Sequence, residues 1–300
     1  MGMELRIENL SKTYANGVKA LNGINLTLTK GIFGLLGPNG AGKSSLMRII
    51  ATLQEANGGS ITYNDGYHPE VNVLTQKEEV RQMIGYLPQE FGVYPKIDAA
   101  TLLNHLAVLK GITDATKRKK IVDILLEKTN LTQAQNKNLG GFSGGMKQRF
   151  GIAQALLGDP RILIVDEPSA GLDPQERNRF LNMLSDMSND KIIIYSTHIV
   201  EDVQELCKNV AIINKGEVVF AGSPNEAISG IRGKIWKDHV EKSRLDFYKQ
   251  ALNVISERMV AGEPYVHVYS EDRIAPHAIE VEPSLEDFYF HSLKKINEDQ

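Results

Sequence analysis

A glycine-rich loop between an apolar run and a helical segment constrains the fold more than any other feature. The stretch GLLGPNGAGKSSLMRIIATL, residues 34–53, predicts a strand, a tight turn and a helix. Gly37, Gly42, Lys43 and Ser44 fit the spacing G-x-x-x-x-G-K-[ST]. Glycines let the N–H groups of such a turn point at phosphate oxygens, and the positive end of the helix dipole strengthens the attraction. The loop therefore predicts a phosphate site in an α/β domain.

Each residue of this loop has an expected role at a bound nucleotide. Lys43 would reach the β- and γ-phosphates, and the Ser44 hydroxyl would bind Mg²⁺. A glycine turn in an unrelated α/β domain is the alternative, but a strand before the loop and a helix after it favour the phosphate site. The residues expected to contact the nucleotide here are Gly37, Pro38, Asn39, Gly40, Ala41, Gly42, Lys43, Ser44 and Ser45.

Three further apolar runs end in polar residues. RILIVDEP ends at Asp166 and Glu167, KIIIYSTH ends at His198, and the shorter run MIGYLPQ ends at Gln89. The first two runs are rich in β-branched residues, which is typical of strands buried on both faces of a parallel sheet. Because ligands bind beyond the carboxyl ends of such strands, we expect these four side chains near the phosphate loop.

The residue types suit phosphate hydrolysis. Asp166 is the expected Mg²⁺ ligand, and Glu167 would act as the general base towards water. His198 would donate to the γ-phosphate, and Gln89 would orient water or bind the metal. A histidine or glutamine at a strand end is more often an ordinary turn residue, whereas two adjacent carboxylates after a buried strand are costly without a cation.

Composition excludes several other classes of function. The net charge is −3 and the sequence pI about 6.2, so there is no general basicity that would indicate nucleic acid as a partner. KRKK at 117–120 is interpreted as a solvated helix face, and Trp236, Tyr265 and Tyr269 as core rather than a stacking platform for bases. A single cysteine, Cys207, and no apolar run of membrane-spanning length predict a cytoplasmic chain without an internal disulfide.

These motifs, in this order, resemble the ATP-binding subunits of ABC transporters over about the first 225 residues. GPNGAGKSS is similar to the family's Walker A motif, and ILIVDEP to its Walker B motif with the catalytic glutamate. Gln89 falls in the Q-loop, and His198 is the switch histidine. FSGGM resembles the signature motif, although Phe142 and Met146 stand where LSGGQ has leucine and glutamine. The resemblance adds five nucleotide contacts: Tyr14 on adenine, Ser143, Gly144 and Gly145 in the signature, and Asp173 in the D-loop.

The resemblance implies cofactors, partners and a location. ATP and Mg²⁺ would bind between the phosphate loop of one subunit and the signature turn of a second, which is a copy of this chain or a sister ATPase. Ser143 suits the N-cap of the helix that begins there, with free N–H groups for the partner's nucleotide. Membrane-embedded permease subunits would be the other partners, holding the chain on the cytoplasmic face of the membrane.

The implied fold is an α/β P-loop NTPase (RecA-like) core with an antiparallel β subdomain and an inserted α-helical subdomain at about 90–160. The ABC ATPase domain would cover 1–228, and 229–300 would form a small α+β extension. In that extension KIWKDHVE and PYVHVYSED alternate as strands, and SRLDFYKQALNVI begins as a helix. Ser284 and Asp287 predict a capped helix start.

The predicted function is MgATP hydrolysis that powers transport by separate membrane subunits. The tail PSLEDFYF resembles ATPases of ABC-2-type exporters, which favours export. One alternative is a soluble ABC ATPase that acts on the ribosome or DNA, but such relatives carry two ATPase domains or a long coiled coil. Another is a module that clamps ATP without turnover, which would have no need of Glu167 as a base.

Overall fold

The computed structural model describes residues 2–298, and the chain divides into two compact units, Met1–Val218 and Val219–Gln300. The domain boundary predicted at 228 stays a prediction. The strands in the described range are β1 (Glu4–Thr13), β2 (Lys19–Thr29), β3 (Gly31–Leu36), β4 (Gly58–Asn64), β5 (Val71–Asn72), β6 (Ile84–Leu87), β7 (Ile162–Asp166), β8 (Ile192–Thr197), β9 (Asn209–Asn214), β10 (Glu217–Gly222), β11 (Ile235–His239), β12 (Val254–Val260), β13 (Glu263–Tyr269) and β14 (Ile279–Glu280). The helices there are α1 (Lys43–Ile50), α2 (Lys77–Met83), α3 (Ala99–Leu109), α4 (Ala115–Lys128), α5 (Gly144–Ala155), α6 (Pro174–Met187), α7 (Val200–Leu206), α8 (Pro224–Gly230), α9 (Leu245–Ala251) and α10 (Leu285–Glu298).

Neighbouring strands in the order β9-β3-β8-β7-β6 form the centre of the first unit. The neighbours from β9 to β6 pair in parallel. Every residue of β7 and β8 is buried, because β-branched and aliphatic side chains on both faces of a strand need cover on both faces. The prediction of buried parallel strands is confirmed.

A second sheet, β2-β1-β4-β5, is antiparallel throughout. Its inward side chains, α1 and apolar side chains of β3, β7 and β8 belong to one buried cluster. The helix that follows the phosphate loop is therefore held by apolar packing between two sheets, which keeps its N-terminus in place.

Helices α3, α4 and α5 occupy the chain between β6 and β7. The side chains of Asp98 and Asp114 cap α3 and α4 by accepting from the N–H groups of Thr101 and Lys117, at 2.8 and 2.7 Å. Residues 117–120 lie on α4 and are mostly exposed, so the interpretation of KRKK as a solvated helix face is confirmed.

The second unit is built on an antiparallel sheet in the order β12-β13-β11-β14. One apolar cluster joins the sheet to α9, and another joins it to α10. Ser284 Oγ accepts from Asp287 N at 3.1 Å, and Ser284 N donates to Asp287 Oδ2 at 2.8 Å, which confirms the predicted capped start. Strand β12 was not predicted, because its last four residues are exposed and its pattern lacks a buried face there.

Trp236, Tyr265 and Tyr269 are all half-buried, and the two tyrosines differ in their neighbours. Tyr269 packs against the cluster around α10 and stacks on His291 with ring centroids 3.9 Å apart, which confirms its core interpretation. The neighbour of the Tyr265 ring is instead a cation, since Lys237 Nζ lies 4.9 Å from its ring centroid. Within residues 2–298, no helix has both the length and the apolarity needed to cross a bilayer.

Candidate nucleotide site

The strand order brings the predicted polar residues to one edge of the central sheet. Strands β3, β8, β7 and β6 are consecutive neighbours and run in parallel. The phosphate loop follows β3, His198 follows β8, Asp166 ends β7 with Glu167 next, and Gln89 comes two residues after β6. Their carboxyl ends share an edge, so residues far apart in the chain converge there.

The phosphate loop needs its glycines for its own geometry. Gly40 and Gly42 have φ of 80° and 110°, a left-handed region that L side chains rarely adopt. A Cβ at Gly37 would lie 2.3 Å from the carbonyl oxygen of Ile213. Helix α1 begins directly after Gly42, with no side-chain cap on its first N–H groups. Those donors and the helix dipole suit an anion.

Lys43 lies inside the loop. Its ammonium group is buried and donates to the carbonyl oxygens of Gly37 at 2.5 Å and Pro38 at 3.2 Å. Burial lowers the pKa of Lys43, and the nearby carboxylates of Glu167 and Asp166 oppose that shift. The loop carbonyls thus hold a cation where a phosphate group would dock.

The oxygen atoms of Ser44 and Asp166 meet beside the loop. Ser44 Oγ donates to Asp166 Oδ2 at 3.4 Å. Burial raises the pKa of Asp166, and the neighbouring charge of Glu167 raises it further, so a cation at this carboxylate would relieve an electrostatic cost. Residues 2–298 contain no group of three or more His, Cys, Asp or Glu side chains able to hold a metal. Mg²⁺ at a nucleotide site is held by few protein oxygens, and phosphate oxygens complete its coordination. Ser44 and Asp166 therefore fit that ion. Gln89 is exposed at the same edge.

Glu167 and His198 are in direct contact. Glu167 Oε2 lies 2.5 Å from His198 Nδ1, and the Glu167 N–H donates to the carbonyl oxygen of Ser196 at 2.9 Å. The Glu167 side chain is 8% exposed and that of His198 58% exposed. Glu167 has a φ of 50°, which is uncommon for a residue with a Cβ and is one of the backbone features that cluster at active sites. Sequence analysis named both residues but did not predict their hydrogen bond.

Tyr14 lies against the first turn of α1. Its hydroxyl is 2.9 Å from Ser45 Oγ and donates to Gln54 Oε1 at 3.3 Å, and the hydrogen bond with Ser45 lowers the pKa of Tyr14 most. Lys12 Nζ lies 5.6 Å from the ring centroid. The aromatic ring expected at adenine is therefore tied to the helix that carries the phosphate loop.

The signature turn differs from the phosphate loop. Ser143 caps α5 and its Oγ accepts from Met146 N at 3.2 Å, as predicted. Gly144 has ordinary φ, and the atom nearest to an added Cβ there would be Leu172 Cδ2 at 4.0 Å. An added Cβ at Gly145 would instead lie 2.3 Å from a carboxylate oxygen of Glu176.

Residues that sequence analysis did not single out support this turn. Glu176 forms ion pairs with Arg149 of α5 and with Arg179, the latter at 2.9 Å. Its own N–H donates to Asp173 Oδ1 at 2.9 Å, so Asp173 caps α6. A second group forms around Asp202, which accepts hydrogen bonds from Ser169 and Tyr195, close in sequence to Glu167 and His198. Its only sequence signal is Tyr195, a hydroxyl in an otherwise aliphatic run.

Comparison with known proteins agrees with this geometry. The family model described as ABC transporter matches residues 21–170. The linearmycin resistance ATP-binding protein LnrL of Bacillus subtilis (strain 168) is 37% identical over 76% of this chain and 72% of its own length. The solved structure of cbiO1 from Clostridium perfringens, part of the ABC transporter complex cbiONQ, superposes with a TM-score of 0.65 at 29% identity over 75% of this chain and 90% of that one.

A further solved structure is the dimeric form of MJ0796, a bacterial ABC transporter cassette. It has a TM-score of 0.64 at 25% identity and covers 73% of this chain and 98% of that chain. The fold is accordingly that of a P-loop NTPase cassette. The family match, the similarity to the relative and the motifs at one edge of the central sheet lead to one conclusion. The chain belongs to the ABC transporter family, as an ATP-binding subunit that hydrolyses ATP to power transport.

Proposed function

We propose that this chain binds MgATP at its phosphate loop, uses Glu167 as the general base of hydrolysis, and powers export through separate membrane-spanning subunits. The observation that carries the proposal is the hydrogen bond of Glu167 Oε2 to His198 Nδ1, at the sheet edge that also bears the phosphate loop. A binding-only module would have no use for a carboxylate held in a strained backbone next to a histidine.

The hydrogen bond between these two residues has a chemical consequence. An ionised carboxylate only accepts, so His198 Nδ1 must carry the proton of this bond. Donation from Nε2 to a phosphate oxygen then requires the doubly protonated ring. Glu167 would accept a proton from the attacking water, while Lys43 would interact with the phosphates that carry the developing charge.

The metal role follows from the same group of side chains. Ser44 and Asp166 would hold Mg²⁺, with Gln89 as a further oxygen ligand or a water-orienting group. When bound, the ion would neutralise phosphate charge and so favour attack by water. The hydroxyl-to-carboxylate distance of 3.4 Å and the raised pKa of Asp166 support this assignment.

A second ATPase subunit would complete each site. Gly144 is exposed, has ordinary φ and has no close neighbour, so nothing in its own chain requires a glycine there. A phosphate bound to another chain could approach the N-terminus of α5 only if position 144 has no side chain. The dimeric cassette structure, at 25% identity, supports pairing. We propose that ATP lies between the phosphate loop of one subunit and Ser143, Gly144 and Gly145 of the other.

Export is the direction that the tail and one relative favour. PSLEDFYF resembles the tail of ABC-2-type exporter ATPases, and LnrL is named for linearmycin resistance. Permease subunits would then hold the chain at the cytoplasmic face of the membrane. Purification of the tagged chain from its host should recover a polytopic membrane protein; recovery of ribosomes instead would favour the alternative of a non-transport partner.

The decisive experiment uses the dimer. Glu167→Gln should lower kcat by about a hundredfold or more, the range expected for a lost general base, while ATP binding is kept. This variant should accumulate as an ATP-dependent dimer in light scattering. Adding Ser143→Arg puts a bulky side chain at the expected phosphate position and removes the cap, so it should abolish the dimer but leave ATP binding to each monomer.

A matched control replaces another exposed N-cap. Asp114→Arg removes the cap of α4, away from the sheet edge, and should leave the dimer of Glu167→Gln intact. Loss of ATP binding in Ser143→Arg would place the signature turn in its own chain's site. A wild-type kcat in Glu167→Gln would mean that another residue activates water.

A further inference from the structure

A buried carboxylate close in sequence to His198 accepts hydrogen bonds from three separate segments of the chain. Asp202 of α7 is 0% exposed. Its Oδ2 accepts from Ser169 Oγ at 2.6 Å and from Tyr195 OH at 2.5 Å. Its Oδ1 accepts from Arg177 Nε in an ion pair. Ser169 belongs to the loop after β7, Tyr195 to β8 and Arg177 to α6, so one side chain joins four parts of the fold.

Each of the connected segments also carries a predicted site residue. Ser169 is two residues after Glu167, and Asp202 is four residues after His198. Arg177 is four residues after Asp173, on the helix that Asp173 caps. Such short separations within a turn or a helix leave little freedom between the linked residue and its neighbour. A displacement of Asp202 or its partners would therefore be transmitted to the Glu167–His198 hydrogen bond.

The groups around Asp202 compensate its buried charge. A buried carboxylate is tolerated only when it is paired and hydrogen-bonded, and here a guanidinium and two hydroxyls do both. Burial and the charge of Asp202 raise the pKa of Tyr195, so its hydroxyl stays protonated and donates. The hydroxyl oxygens of Ser169 and Tyr195 also lie 3.0 Å apart, so these two side chains and Asp202 all contact one another.

We propose that Asp202 is a positioning residue for hydrolysis, which holds Glu167, His198 and Asp173 in register through Ser169, Tyr195 and Arg177. This inference rests on the proposed role of Glu167 and His198 as the hydrolytic pair. Asp202 acts at a distance, because it is fully buried and is surrounded by Ser169, Tyr195 and Arg177. Catalysis depends more steeply on the alignment of reacting groups than binding does, so loss of the cluster should lower kcat with little change in ATP affinity.

The test removes hydroxyls one at a time. Ser169→Ala and Tyr195→Phe each delete one donor and retain the rest of the side chain, and the double variant leaves Asp202 with Arg177 alone. We expect kcat of the double variant to fall about tenfold, within the loss that small misalignments produce, with the ATP dissociation constant changed less than twofold. Asp202→Asn should lower kcat at least as much.

The matched control is Tyr63→Phe. Tyr63 is also a buried tyrosine, but it lies on β4 and its hydroxyl has no hydrogen-bond partner among the described residues. Its substitution should change neither kcat nor ATP affinity. Thermal unfolding of every variant shows whether it is folded, and Tyr195→Phe carries the test if Asp202→Asn fails to fold.

A second measurement distinguishes positioning from a general loss of stability. In the Glu167→Gln background the double variant should lower the residual rate by a smaller factor than it does in the wild type, because one of the residues that the cluster positions has lost its function. Unchanged kcat in the folded double variant, or an equal loss with and without Glu167, overturns the positioning role while leaving the proposed function intact. A wild-type kcat in Glu167→Gln alone overturns both, so the two failures are distinguishable.

Discussion

The phosphate loop and the signature turn are both glycine-rich and both precede a helix, but the chain needs their glycines for different reasons. In the phosphate loop, Gly42 is left-handed and a Cβ at Gly37 would clash with the Ile213 backbone. At the signature, Gly144 has ordinary φ and open space around it. The glycines of the first turn are therefore required by the fold of their own chain, whereas no contact within the chain requires a glycine at position 144.

The two turns also differ in their charged neighbours. Lys43 lies within the phosphate loop, and Asp166 approaches Ser44 there. Beneath the signature turn, Glu176 is already paired with Arg149. The first turn thus holds charges that a ligand would satisfy, whereas the carboxylate beneath the second turn is already satisfied within the chain. A complete binding site and half of a shared site are expected to differ in this way.

The largest expected effect is a difference in ATP affinity between variants of the lysine in each turn, Lys43 and Lys147. Lys43→Ala should weaken ATP binding to the monomer about a thousandfold, since two charge-assisted hydrogen bonds of about 2 kcal/mol each are lost. Lys147→Ala, in the first turns of α5, should leave that affinity unchanged. Titration calorimetry measures both. Equal losses would mean that the two turns serve the same nucleotide within one chain.

The next effect concerns stability. Gly37→Ala should lower the free energy of unfolding by about 3 kcal/mol, because the added methyl group has no room beside the Ile213 carbonyl. Gly144→Ala should raise it by about 0.5–1 kcal/mol, as expected for alanine at a helical position. Denaturant unfolding without nucleotide gives both values.

The effect of Gly144→Ala on the ATP-dependent dimer should be opposite to its effect on stability. The more stable Gly144→Ala variant should still impair the ATP-dependent dimer in the Glu167→Gln background. A normal dimer would show that the partner's phosphate does not approach this residue. A destabilised Gly144→Ala monomer would show that the glycine is required by its own chain after all.

The smallest expected effect is the pH dependence of stability. Burial raises the folded-state pKa of Asp166 above its unfolded value, so the folded protein holds this proton more tightly. The stability contribution is therefore present below the ordinary aspartate pKa and lost as the pH rises through the raised one. Without Mg²⁺ or nucleotide, Asp166→Asn should unfold at a higher temperature than wild type at pH 7, and the difference should shrink in acid.

Asp159→Asn is the control with the opposite sign. The hydrogen bond from Lys191, at 2.7 Å, lowers the pKa of Asp159, so its contribution is present at neutral pH and lost as the pH falls through the lowered pKa. Asp159→Asn should therefore be less stable than wild type at pH 7 and approach it in acid. An Asp166→Asn variant that is destabilised at pH 7 would contradict the electrostatic cost assigned to the phosphate loop.

Much of the site was predictable because its signals are local. The strand, glycine turn and helix at 34–53 appear as continuous pattern, and β7 and β8 read as buried strands that end in Asp166 and His198. The caps at Ser143 and Ser284 follow from residue type and short spacing. The convergence of the strand ends also follows, because parallel strands in one sheet share a carboxyl edge.

What could not be predicted depends on contacts between distant segments. The hydrogen bond of Glu167 to His198, the packing of Glu176 beneath Gly145, and the donors around Asp202 join residues on different elements. Strand β12 was missed for a related reason, since only pairing with β13 makes it a strand. No residue type or spacing carries that information.

By itself, the sequence determined which side chains follow which strands and where the helices begin, and it predicts that two separate turns are built for anions. Only the tertiary structure decided the geometry, namely the order β3-β8-β7-β6, the pairing of Glu167 with His198, and the open space around Gly144. The physical reason is the difference in range between the interactions that determine each feature. Caps, turns and strand patterns arise from neighbours along the chain, whereas alignment of a catalytic pair arises from burial and hydrogen bonds that exist only after the elements have packed.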